Sequence, residues 1–293
     1  MNHHRNVPGW YKFQCRLMAC GPARGLLFQY HRVKKKLCKL RELSLLKRQP
    51  NNLRNFENRV YSQNGEDGIL EEVFRRIGTT DRVFIEFGVQ DGTQCCTRNL
   101  LENGSWSGIW IECSPECVAN AEKLFKQFPV TTVERFLTAE NIASIFVEAG
   151  APREFDLMVI DVDGNDYWMW NALAERFRPR VVVIEYNGTF GPYEEWVMPY
   201  DPQHRCDESA YFGASLTSYA NLGSKYGYSL VGCDSMGVNA VFVRNDVAGE
   251  AFDGLNQPPA YHYVAPYYDW WFGHPVLIVG NRGGSATTTP FSK

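Results

Sequence analysis

The stretch Tyr228-Ser-Leu-Val-Gly-Cys-Asp-Ser-Met-Gly-Val-Asn-Ala-Val-Phe-Val-Arg244 decides the fold of this chain. Two apolar runs, Tyr228–Gly232 and Asn239–Arg244, are separated by only six residues. Parallel neighbours need a crossover of about a dozen residues or more, so these two strands have to pair antiparallel. Just upstream, a helical pattern near 215–226 stops at Gly227. The chain therefore closes as helix, strand, strand, where a dinucleotide dehydrogenase would continue with another set of strand–helix–strand units.

Working back from that ending, strand and helix signals alternate from Tyr61 onward. Asn64 and Asp67 stand where they can cap a first helix, whose Ile69, Leu70, Val73, Phe74 and Ile77 recur on one face before Gly78. Strand Val83–Phe87 follows, then a glycine loop, a helix near 93–103 closed by Gly104, and strand Gly108–Glu112. Ser114-Pro115 opens the next helix as cap and first residue, with Val118, Ala121, Leu124, Phe125 and Phe128 inward. A short strand near 130–133, a helix near 141–149, strand Phe155–Asp161, a helix after Asn165 and strand Val181–Glu185 complete the series. Such nearly unbroken apolar strands need cover on both faces, which a parallel sheet flanked by helices provides. The expectation is a doubly wound α/β sheet, mostly parallel, with a closing antiparallel strand pair.

Composition and charge set the boundaries. The 293 residues, 44% hydrophobic and 22% charged, suit one large α/β domain with appendages. No run approaches the roughly 18 uninterrupted apolar residues of a membrane span, and the N-terminus lacks the apolar segment of roughly 7–15 residues that a secretory signal needs. A cytoplasmic location is the expectation, and the nine cysteines, odd in number and without paired CxxC units, read as reduced thiols. Residues 1–59 carry fourteen Lys and Arg against Glu42 and Glu57, about +12, which leaves about −15 for the rest. The organisation predicted is a basic, partly helical arm over 1–59, a main α/β domain over 60–246 and an aromatic-rich extension with a flexible tail over 247–293. The arm has three candidate partners: the acidic main domain, an anionic membrane surface and RNA.

The chemistry centres on Glu86-Phe-Gly-Val-Gln-Asp-Gly92, a strand-to-helix turn. Gly88 and Gly92 leave room for backbone to approach a ligand, while Glu86 and Asp91 supply acceptors for an ammonium group or for the loop's own amides. The G-x-G-x-x-G pattern of a pyrophosphate site is absent. Glu112, 26 residues beyond Glu86 at the end of the second strand, stands where a carboxylate can accept both hydroxyls of a ribose. Together these features suit an adenosyl cofactor with a cationic sulfonium and an amino-acid tail.

Several stretches resemble the FkbM-type methyltransferases, a branch of the class I S-adenosylmethionine-dependent enzymes. They are Tyr61-Ser-Gln-Asn-Gly-Glu-Asp67, Phe84-Ile-Glu-Phe-Gly-Val-Gln-Asp-Gly92, Thr97-Arg-Asn-Leu-Leu-Glu102 with Gly108-Ile-Trp-Ile-Glu112, and Ile160-Asp-Val-Asp-Gly-Asn-Asp166. The likeness covers roughly residues 61–244 and neither the arm nor the tail. Where that family commonly has Asp-x-Glu-Gly-x-Glu after the fourth strand, this chain has Asp161-Val-Asp163-Gly-Asn-Asp166. The resemblance implies a Rossmann-like class I methyltransferase fold, S-adenosylmethionine as cofactor, and methyl transfer to a hydroxyl of a sugar, glycan or secondary metabolite. Candidate cofactor contacts are then Gln63, Glu86, Gly88, Asp91, Gly92, Glu112, Ser114, Glu140 and Asp161.

Asp161, Asp163, Glu185 and Asn187, at the ends of the fourth and fifth strands, form the candidate catalytic set, a general base with its orienting partners. Asp161 and Glu185 are also candidate ligands for a divalent cation such as Mg. His204, in the 188–214 loop, is another candidate base. That loop and the tail from Tyr261 to Phe272 are rich in aromatics that can stack on a small-molecule or glycan acceptor or form a homodimer contact. RNA methylation through the basic arm, or a non-catalytic cofactor-binding module, are the alternative functions.

Overall fold

Seven strands make one sheet: β1 Val83–Phe87, β2 Ser107–Glu112, β3 Val130–Glu134, β4 Glu154–Ile160, β5 Arg178–Glu185, β6 Tyr228–Cys233 and β7 Asn239–Arg244, in the order β3-β2-β1-β4-β5-β7-β6. The first five are parallel, and β7 runs antiparallel between β5 and β6. This is the mostly parallel, Rossmann-like sheet that the sequence predicts. The computed structural model describes residues 49–206, 211–253, 255 and 257–266, so the basic arm before Gln49 and the aromatic tail beyond Pro266 lie outside the described residues.

Alternation along the strands sends neighbouring side chains into two separate cores. Ile85, Phe87 and Ile160 pack against Ile145, Phe146, Trp170, Leu173 and Tyr219, which come from the helices α4 Ile142–Glu148, α5 Asp166–Leu173 and α6 Leu216–Lys225. Phe84, Trp110 and Val159 face the other way, onto α1 Glu66–Ile77, α2 Arg98–Asn103 and α3 Pro115–Leu124. Each layer of helices therefore covers one face of the sheet, which is why the parallel strands are apolar throughout.

The helix ends depart from the sequence expectations in instructive ways. Helix α1 stops at Gly78 as predicted, but Gly65, at φ +95°, occupies its cap position and Asn64 does not cap. Instead the Asn64 amides donate to Glu66, and the Asp67 carboxylate turns back to accept the backbone N–H groups of Val60, Tyr61 and Ser62. Acidic side chains suit a helix amino terminus, and here they also order the chain that leads into it. Helix α2 lacks its predicted first turn because the amides of Cys96 and Thr97 go to Glu86. Ser114 caps α3 through the Cys117 N–H as expected, whereas Leu124 is 48% exposed rather than inward.

Packing runs past both ends of the repeating pattern. Leu53, on the 3-10 turn Leu53–Phe56, fills the space above Gly232, where a Cβ would meet its Cδ1 at 3.0 Å. Val264 is buried, and its carbonyl accepts the Tyr186 hydroxyl at 2.7 Å. At the amino ends of the strands, buried Asp156 accepts Arg180 at 2.7 Å together with the Thr80 and Arg82 amides, tying β4, β5 and the chain before β1 together. No helix among the described residues is long and apolar enough to cross a membrane.

Candidate functional site

Register brings the site together. The last paired residues are Phe87 with Ile111, Phe87 with Ile160, and Ile160 with Ile184. One residue further on, Glu112, Gly88, Asp161 and Glu185 stand in a row across the carboxyl ends of β2, β1, β4 and β5. Because β1 continues to β2 on one side while β4 lies on its other side, the crevice between β1 and β4 is the topological switch point, where open α/β sheets bind their ligands.

The glycines of the first loop answer to the chain itself. Gly88 sits at φ +80°, and a Cβ there would lie 1.5 Å from the Asp161 carbonyl oxygen. Gly92, at φ +76°, has the Trp110 ring 2.6 Å from the same hypothetical atom. Glu86 is likewise engaged: one oxygen accepts the Cys96 N–H at 2.9 Å, and the other accepts the Thr97 N–H at 3.0 Å and its hydroxyl at 2.5 Å. Burial raises the Glu86 pKa, and these donors offset only part of that rise. Of the two roles its position allowed, Glu86 takes the one of fixing the loop. Asp91 closes a local turn by accepting the Thr93 N–H and hydroxyl, and the hydroxyl bond lowers its pKa.

Glu112 bridges two loops. One oxygen accepts the amides of Cys113 and Ser114 at 2.8 and 2.9 Å, and the other accepts the Gln90 amide at 2.9 Å. A carboxylate has about four acceptor positions, so as it stands Glu112 has one left for a ribose hydroxyl rather than two. Ser114 serves as the α3 cap. Gln63 is exposed, and so is Glu140, which accepts the Tyr200 hydroxyl; that bond lowers the Glu140 pKa.

At the other side of the crevice, Asp161, Asp163 and Glu185 bring carboxylate oxygens within 4.8 Å of one another. Among the described residues, no Lys or Arg forms an ion pair with any of them. One Glu185 oxygen is buried without a hydrogen bond. Burial, followed by the charges of Asp163 and Asp166, holds Asp161 well above the usual carboxylate range; burial and the charge of Asp161 do the same to Glu185. Asp163 is exposed, yet the protein around its carboxyl partly desolvates it and raises its pKa, an effect that the neighbouring His204 opposes. The structure places Asn187 apart from this group: it is buried, accepts the Thr189 N–H and hydroxyl, and donates to the Phe212 carbonyl, bracing the loop after β5.

Two acids that the sequence shows only inside the stretches Tyr61–Asp67 and Ile160–Asp166 belong to this setting. Glu66, buried, accepts the Asn239 side chain at 2.7 Å, and its charge reaches Asp161. Asp166 accepts the Val162 and Gly164 amides at 2.8 and 2.9 Å and so shapes the turn that carries Asp163. The signal for Glu66 lay in its motif, Tyr61–Asp67, but nothing local shows that this motif meets β7.

A strap from Met198 to Arg205 crosses the loops that follow β3 and β4. The Met198 carbonyl accepts the Trp168 indole at 2.8 Å, the Asp201 carbonyl accepts Asn165 at 2.8 Å, and the Tyr200 hydroxyl accepts the Ala139 N–H at 3.0 Å. His204 lies over Gly164 with Nε2 3.1 Å from the Asp163 carbonyl oxygen, a position of anchorage for this candidate base. The Arg205 guanidinium stands 3.5 Å above the Phe136 ring. Beside the strap, Phe190 and Trp196 stack at 4.4 Å and Tyr193 is 82% exposed.

No family model and no curated protein matches the sequence. Among solved structures, a protein assigned as an O-methyltransferase from Klebsiella pneumoniae is 15% identical, with a TM-score of 0.44 over 67% of this chain and 87% of its own. The N-terminal domain of EvdMO1 with SAH bound is 15% identical, with a TM-score of 0.42 over 62% of this chain and 82% of its own. A S-adenosylmethionine-dependent methyltransferase from Clostridium acetobutylicum ATCC 824 is 10% identical, with a TM-score of 0.41 over 71% and 99%. Likeness of this degree carries no argument about activity, which has to be read from the chain's own side chains.

Proposed function

We propose that the protein is an S-adenosylmethionine-dependent O-methyltransferase acting on a hydroxyl of a sugar, a glycan or a secondary metabolite. The observation that carries this reading is the acidic crevice at the switch point, where Asp161, Asp163 and Glu185 bring carboxylate oxygens within 4.8 Å of one another, the Asp161 backbone packs on Gly88, and Glu112 ends the neighbouring β2. Carboxylates in a crevice repel a pyrophosphate and attract a sulfonium and an ammonium group. The cofactor brings a methyl group already activated by its positive sulfur. The chain's own residues must then hold the acceptor hydroxyl in line and take its proton.

Glu112 is the ribose contact in this reading, through its remaining acceptor position, and the loop held by Glu86 and Asp91 carries the amino-acid tail. Asp161 and Glu185 are the groups placed to receive the hydroxyl proton. Tyr193 and the Phe190–Trp196 stack form the aromatic edge on which an acceptor rests. Calorimetry with S-adenosylmethionine tests the assignment: micromolar binding by the wild type and at least tenfold weaker binding by Glu112→Ala are expected. Absence of wild-type binding would sink it. A methyl-labelled cofactor incubated with cell extract then identifies the acceptor, and transfer to a hydroxyl oxygen is the expected product.

A further inference from the structure

We propose that β3 is the surface through which two copies of this chain join, edge to edge and antiparallel, across a two-fold axis at Thr132. The inference is independent of the methyltransferase reading. β3 is the outermost strand of the sheet, paired with β2 on one side and, among the described residues, with no strand on the other. The Gly108 N–H donates to the Pro129 carbonyl at 3.1 Å and the Arg135 N–H to the Glu112 carbonyl at 2.9 Å, which fixes the backbone groups that face inward. Because orientation alternates along a strand, Pro129, Thr131, Val133 and Arg135 face β2, and Val130, Thr132 and Glu134 face out. Two of the outward groups already have partners: the Val130 N–H donates to the Phe128 carbonyl, and the Glu134 carbonyl accepts the Arg135 guanidinium, both at 2.9 Å. The N–H and carbonyl of Thr132, the Val130 carbonyl and the Glu134 N–H stay open, a row on which another strand can pair.

A second copy is the occupant because this row is complementary to itself. With Thr132 set opposite the partner's Thr132, each Thr132 N–H donates to the partner's Thr132 carbonyl and each Glu134 N–H to the partner's Val130 carbonyl. These bonds use every open group once, and the groups they leave out, the Val130 N–H and the Glu134 carbonyl, are the two already engaged. Charge fits the same register. Val130 and Lys126 line one groove of about 320 Å3 between β3 and the end of α3, together with Glu122, Phe125 and Thr132. Antiparallel pairing puts the partner's Glu134 opposite Val130 and so beside Lys126, and the two-fold axis repeats the contact. Lys126 and Glu134 are exposed, and neither forms an ion pair among the described residues. The joined sheet points the two crevices in opposite directions, since the axis reverses every strand. An edge contact of this kind is small, so micromolar association is expected rather than an obligate dimer.

The test is analytical ultracentrifugation of the full chain from about 1 to about 200 µM, in which a species of twice 33.5 kDa should grow with concentration. Thr132→Pro removes an outward N–H that the chain's own sheet does not use, so it should keep the fold and weaken association about tenfold or more. Circular dichroism checks that fold, and the charge variants decide the matter if it is lost. Glu134→Lys and Lys126→Glu should each weaken association about tenfold, and the double variant, in which the charges change places, should recover it to within about threefold. Amide exchange at Thr132 and Glu134 should slow at high concentration and not at low. A wild-type chain that stays monomeric to about 200 µM would overturn the proposal and leave the edge to an extended segment of another protein. A dimer indifferent to a folded Thr132→Pro, or a double charge variant no better than the single ones, would overturn it as well.

Discussion

Gly88→Ala separates two explanations for the glycine in the first loop, room for a ligand and room for the protein's own backbone. The new Cβ would start 1.5 Å from the Asp161 carbonyl oxygen, against an ordinary contact of at least 3.4 Å, so β1 and β4 must part by about 1.9 Å. That movement breaks the bond from the Asp161 N–H to the Phe87 carbonyl, now 3.3 Å. It is worth about 1 kcal/mol net. A left-handed alanine adds about 1–2 kcal/mol. The expected loss is therefore about 2–3 kcal/mol, read by urea unfolding followed through tryptophan fluorescence, with the denaturant slope unchanged. Cofactor affinity should fall with it, because Asp161 moves as well. A Gly88→Ala protein within about 0.5 kcal/mol of wild type that had lost only ligand binding would refute the argument and return the glycine to the ligand.

Other predictions follow from the same contacts. Asp156→Ala strands Arg180 in the sheet at 8% side-chain exposure, and a loss of about 3–5 kcal/mol in chemical unfolding is expected; a loss below about 1 kcal/mol would show that the pair is replaceable. Gly164→Ala places a Cβ 2.2 Å from His204 Cδ2, so amide exchange should accelerate across residues 198–206 and leave β5 protected; equal exchange in both segments would refute the anchoring role of His204. Burial and the charge of Glu66 push the Asp234 carboxyl up to about 7, above its unfolded value of 3.8. The folded state then binds the extra proton between these values, so stability falls as pH rises from about 4 to about 7 and levels off above that. Urea midpoints at pH 5, 6, 7 and 8 should show the fall, and Asp234→Asn should flatten it; an unchanged slope in the variant would reject the assignment.

Much of the fold was legible because the decisive signals are local. The five residues between the last two strands leave no room for a crossover, so the antiparallel β7 follows from chain length alone, and the apolar runs of β4 and β5 require cover on both faces. Glycine also marked the ends of α1 and α2 correctly. The errors came where a side chain outside the cap position takes the amides near a helix start. Glu86 removes the first turn of α2, and Glu66 and Asp67 reorganise the start of α1, because a buried carboxylate gathers whatever N–H groups lie within reach.

For the site, residue type and order along the chain were enough to single out Glu112, Asp161, Asp163 and Glu185, since acids at the ends of buried strands are read directly from the sequence. Tertiary structure alone decided which of them stand together. Strand register sets Asp161 level with Gly88 and Glu185, so three of the acids share one small volume, while Glu86 and Asp91 turn onto backbone amides and Asn187 onto its own loop. Which acid stays free depends on the donors within about 3 Å of it, and those donors come from chain segments that no sequence spacing connects.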